Sequence, residues 1–160
     1  MRNFAEVILA VLAAFLLNFL FAKISISLFL SINLLSLIVI YFAVEKGEVY
    51  GACLGAFCGL IQDSFSLGIY GVAGIAKTIL GFLAGYVSGK INVTPVRRNF
   101  VFIFLLLCLE LAVWALLYSF IFSERVNTGG GIIFFQPLIS AVIGALAYRF
   151  IRNHHTRSKS

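Results

Sequence analysis

The feature that most constrains this chain is the spacing of its charges, which leaves six apolar stretches close to the thickness of a lipid bilayer. They run over 4–21, 28–44, 49–64, 71–91, 100–122 and 132–151, the third being the shortest. A helix rises 1.5 Å per residue and needs about 20 apolar residues to cross a hydrocarbon core of about 30 Å. The stretches are continuous and lack the alternation of barrel strands, so a membrane β-barrel is disfavoured. The expected fold class is therefore an all-α polytopic integral membrane protein of about six transmembrane helices. It forms one membrane domain over 1–160 with a basic cytoplasmic tail at 152–160. Composition agrees: 62% of residues are hydrophobic, 11% are charged and mean hydropathy is +1.08. Soluble domains sit near 45–50% and about 25% respectively. The sixth span is preceded by Gly129-Gly130-Gly131 and is expected to kink at Pro137.

The first stretch could pass for a secretory signal, since Arg2 precedes it. Glu6 interrupts its start, no small-x-small cleavage pattern follows, and the apolar run resumes after Lys23. It reads as a retained span.

Orientation follows from lysines and arginines near span ends. With six spans and a cytoplasmic N-terminus, the inner side holds Arg2, Lys46, Lys90, Arg97, Arg98, Arg149, Arg152, Arg157 and Lys159. The outer side holds Lys23 and Arg125, while Lys77 lies within a span. An odd number of spans would separate the N-terminus from the basic C-terminal tail. The net charge of +6 thus belongs to anchoring in an anionic inner leaflet and implies no nucleic-acid partner.

Of 14 glycines, ten fall between Gly47 and Gly89. Gly51, Gly55 and Gly59 repeat every four residues in the third span, and Gly81, Gly85 and Gly89 do so in the fourth. Lipid gives two helices no hydrophobic reason to associate, so close backbone approach over small residues supplies the contact. The two rows are expected to form a tightly crossed hairpin, with the isolated Gly144 mattering less. Cys53, Cys58 and Cys108 all lie in apolar runs and read as small lipid-phase side chains, not as a disulfide or metal set.

Asp63, Lys77 and Glu110 are the intramembrane charges. Each costs about 2.5–3.5 kcal/mol at a helix centre, so each should face protein or water. Asp63 ends the third span and Lys77 lies about 9 Å into the fourth. The reversal between them makes an ion pair the expected arrangement; the alternative is Asp63 as a helix terminus and Lys77 snorkelling to the headgroups. Glu110, in the middle of the fifth span, is expected to bond another helix as an uncharged acid. Asn18, Asn33 and Gln136 are lesser candidates for bonds between helices.

Catalytic constellations are missing from the sequence. No histidine lies in a span, and the chain has one aspartate, Asp63, which excludes a paired-aspartate protease. No nucleotide or cofactor motif occurs. His154 and His155 sit in the basic tail, where a solvated role is expected. No enzymatic activity, cofactor or metal is expected.

The segment from Gly55 to Gly71, Gly-Ala-Phe-Cys-Gly-Leu-Ile-Gln-Asp-Ser-Phe-Ser-Leu-Gly-Ile-Tyr-Gly, resembles the central signature of the rod shape-determining protein MreD family. That signature is a small-residue third helix ending in Gly-x-x-x-Asp, a short glycine-bearing loop and a glycine-bearing fourth helix. Gly59, Asp63, Gly68 and Gly71 carry the match; Lys77 and Glu110 are not carried over. The resemblance implies a non-enzymatic scaffold in the bacterial inner membrane, part of the cell-elongation machinery. Its implied partners are MreC and, through it, MreB, RodA and a penicillin-binding transpeptidase. A substrate-binding subunit of an energy-coupling-factor vitamin transporter is the alternative, being also a small six-helix protein; Ala10 and Ala14 are similar to its docking patch. A high-affinity binder needs a polar pocket, and no aromatic-polar cluster in an outer loop supplies one. An assembly factor of an unrelated complex is a third reading.

Overall fold

The structure is a computed structural model, which describes residues 4–24, 32–65, 71–91, 95–121 and 135–157. The described residues form six helices: α1 (Phe4–Ile24), α2 (Leu34–Lys46), α3 (Glu48–Phe65), α4 (Val72–Lys90), α5 (Val96–Ile121) and α6 (Gln136–Arg157). Two of them, α4 and the Arg97–Ile121 portion of α5, are long and apolar enough to cross a membrane. Of the outer loops expected near Lys23, Ser66 and Arg125, the last two lie outside the described residues, as does Gly68, while Lys23 stands in the last turn of α1.

Local chemistry sets the helix ends. Asn33 caps α2, its side chain accepting from the Ser36 N–H at 3.3 Å. Gly47 closes α2 with its N–H on the Ala43 carbonyl at 2.8 Å and alone separates α2 from α3. Its φ of +94° suits glycine, which lacks the Cβ that makes this region costly. Pro137 does not kink α6: the helix begins at Gln136, so the proline stands in its first turn, where the missing N–H has no intrahelical partner to lose. The helix continues to Arg157, through most of the stretch read as a tail.

α2 is the hub, touching each of the other five helices. Leu35, Val39 and Ala43 on its buried face pack with Cys58 of α3, Leu80 of α4 and Ile103 of α5. α1 makes its principal contact with α2 alone. The outside of the bundle is apolar: Leu9, Leu105, Leu116 and Phe120 are 72%, 61%, 60% and 87% exposed. Water would make so much exposed apolar surface an aggregation hazard, whereas hydrocarbon is its natural solvent.

The closest helix contact is between α3 and α4, which run antiparallel. A methyl group added at Gly51 would overlap the Gly81 carbonyl, and one at Gly55 would overlap the Lys77 carbonyl. One at Gly59 would strike the backbone of Ala73 and Gly74, and one at Gly85 that of Gly47 and Glu48. The backbones touch along this line, and no side chain larger than hydrogen fits. Gly89 has a different place: α3 starts at Glu48, the α4 row runs past it, and nothing stands within 4 Å of a Cβ there.

Candidate functional site

The interior holds a polar cluster to which four helices contribute. Lys77 of α4 is fully buried, and its Nζ lies 2.5 Å from Glu110 Oε1 of α5. The ammonium also donates to Asn33 Oδ1 at 3.2 Å and to the Ser36 hydroxyl, the cap and the first turn of α2. Ser36 in turn donates to Glu110 Oε1 at 2.7 Å, and the Asn33 amide donates to both carboxylate oxygens at 3.3 and 3.5 Å. Ser140 of α6 accepts the Asn33 backbone N–H at 3.0 Å, so the cap of α2 is tied to a fourth helix.

Electrostatics explains why these groups converge. Two unlike charges in a low-dielectric interior are tolerable only when paired and with their remaining hydrogen-bonding capacity filled. The groups that bond Glu110, namely the Asn33 amide, the Ser36 hydroxyl and the Lys77 ammonium, belong to other helices or their caps, and all of them donate to it. The first turn of α2 adds the positive end of a helix dipole beside the carboxylate.

Asp63 has another task. One of its oxygens accepts from the N–H groups of Gly71 and Gly74 at 2.9 and 3.0 Å, the other from Ala73 at 3.1 Å. These donors begin α4 and have no intrahelical acceptor. A carboxylate taking three of them is a charge-assisted cap placed from the preceding helix. Gly71 precedes α4 at φ +96°, a left-handed conformation that directs the chain into it. Asp63 and Lys77 therefore do not form the expected pair: Asp63 is occupied by α4 backbone, and Lys77 reaches away to Glu110.

Of the lesser polar candidates, Asn33 does bond between helices, whereas Asn18 Oδ1 is buried without a partner. Ser36 and Ser140 were not singled out in the sequence. Ser36 had a signal: it lies three residues after Asn33, on the same helix face. Ser140 had none. Among the described residues no group of three or more His, Cys, Asp or Glu is placed to hold a metal.

What this arrangement does chemically is hold helices in register. It contains no nucleophile beside a free base, and its polar groups are spent on one another. The class so defined is a helical membrane protein with a buried ion-pair network and a backbone-to-backbone helix pair.

Comparison with known families specifies the class further. A family model described as rod shape-determining protein MreD matches residues 1–154, and the chain belongs to that family. Its role is accordingly in rod shape determination, and the family is a membrane and structural one. Neither the curated proteins nor the solved structures give a match.

Proposed function

We propose that this protein is a non-enzymatic scaffold of the cell-elongation machinery, binding MreC in the membrane. Through MreC it would link MreB to peptidoglycan synthesis by RodA and a penicillin-binding transpeptidase. The observation that carries this reading is the family match over residues 1–154. The structure supports it from the side of physics. The polar groups of the Lys77–Glu110 cluster are consumed internally, and what faces outward is mostly apolar helix surface, against which other transmembrane helices pack.

In this reading the six apolar stretches of the sequence cross the inner membrane, with both termini cytoplasmic. Lys46 and Lys90 end α2 and α4, each over an aromatic ring, Tyr50 at 4.8 Å and Tyr86 at 4.3 Å. Basic and aromatic residues together at helix ends are the usual furniture of an interface. Arg97 and Arg98 are exposed at the start of α5. The cluster fits the same topology: the starts of α2, α4 and α6 meet each other, and α5, which runs the other way, reaches them at its middle.

Depletion of this protein in a rod-shaped bacterium tests the reading: cells should round, and an intact copy should restore rods. Normal rods after depletion would remove the function proposed. Vitamin binding is not favoured by any observation, since the large cavity of the bundle has an almost wholly apolar lining.

A further inference from the structure

α1 rests chiefly on α2, and the space it leaves toward α5 and α6 is an open groove of about 540 Å³. Ala13, Leu37, Tyr41, Ile103 and Ala147 are among its walls, and it follows α2 from Leu34 to Val44, about 15 Å of helix rise. That is half of a hydrocarbon core of about 30 Å, the depth of one leaflet. Its position along the bundle agrees. The upper end lies beside Asn33, which bonds Glu110 in the middle of α5. The lower end lies at Asn99, eleven residues earlier on that helix, or about 16 Å away.

Asn99 is the exception in this lining. It is 4% exposed, and its amide nitrogen has no hydrogen-bond partner. A buried, unsatisfied donor costs about 1–3 kcal/mol and calls for a ligand that brings an acceptor. The neighbours Arg97 and Arg98 are exposed on the first turns of the same helix, so the acceptor would arrive in a field that favours negative charge. An apolar slot one leaflet deep, a lone donor at its surface end and two exposed arginines directly before it in the sequence match the parts of one molecule.

We infer that the groove holds an acyl chain of an anionic phospholipid, whose ester or phosphate oxygens take the Asn99 amide beside Arg97 and Arg98. The assignment to the inner leaflet rests on the orientation proposed above; the site itself does not depend on MreC. The lipid would fill the space that α1 leaves and join α1 to the rest of the bundle.

The test uses the whole protein in phosphatidylethanolamine vesicles containing a minor share of phosphatidylglycerol with a photoreactive acyl chain. After irradiation, adducts are mapped by peptide mass spectrometry. They should concentrate on the Leu9–Leu17 and Leu34–Val44 walls, and unlabelled phosphatidylglycerol should reduce them severalfold where phosphatidylcholine does not. Asn99→Leu should abolish that headgroup preference. Ala13→Trp and Ala147→Trp, which fill the slot from exposed wall positions, should remove the groove adducts. Adducts at Phe120, on the outer surface, should stay unchanged in every variant and report an intact fold. Groove labelling that is absent, is not competed, or survives either tryptophan would overturn the proposal. So would protection of the groove in native membranes by a crosslinked protein helix, which would give the slot to a protein partner instead.

Discussion

Lys77 and Glu110 meet at 2.5 Å inside the bundle with 0% and 8% of their side chains exposed, and among the described residues neither has another charge for a partner. Breaking such a pair strands a buried charge, at a cost of about 3–5 kcal/mol, whereas removing both charges is far less harmful. Lys77→Met and Glu110→Gln should each lower thermal stability in detergent by that order. The double variant should be more stable than their summed effects allow. Additive losses would mean that the two side chains do not act on each other.

Asp63 should behave as an independent cap. Asp63→Ala removes three acceptor contacts from the start of α4 and should cost about 2 kcal/mol, the upper end for a helix cap. Asp63→Asn keeps an acceptor oxygen and should cost less. Combined with Lys77→Met it should add without coupling, because the two residues share no partner. Strong coupling in that cycle would restore the direct pair and contradict the geometry.

Much of this was legible before the structure, and the failures have physical causes. Each described helix overlaps one of the apolar stretches, because hydropathy and the 1.5 Å rise are properties of the chain alone, but the bounds differ by up to six residues, as at α2 and α6. Lys77 and Glu110 stood out because charge in lipid needs an answer, but sequence proximity pointed Lys77 to Asp63. A carboxylate at the end of one helix can satisfy either a side chain or the backbone of the next helix, and spacing does not separate the two. Glu110 was thirty-three residues away from Lys77, and only the packing of α5 on α4 brings it near. Ser140 was illegible because a serine in a membrane helix is common and its bond to Asn33 spans 107 residues. The glycine register showed in the sequence, yet where the row stops depends on where the facing helix begins.

That register makes a prediction of its own. Gly55→Leu and Gly81→Leu each put a side chain into the backbone of the opposite helix, so the folded yield in membranes should fall severalfold. Gly89→Leu meets open space and should be tolerated. Gly144→Leu should fall between them, since its nearest obstacle is the movable tip of Leu37 at 2.7 Å. Equal yields at all four positions would make the rows a matter of composition.

Topology can be read by labelling single cysteines in a chain freed of Cys53, Cys58 and Cys108. An impermeant reagent applied outside should reach Ser66→Cys and Arg125→Cys, and should miss Gly47→Cys and Pro95→Cys. Outside labelling at either of the last two would break the six-span arrangement.

The central claim is that this protein works by binding another membrane protein, and its most direct test is co-purification. An affinity-tagged chain extracted from a rod-shaped bacterium in mild detergent should carry MreC with it, at a yield that falls when the bundle is disrupted by Gly55→Leu. Recovery of intact, folded protein without MreC, under conditions that leave MreC soluble, would contradict the account.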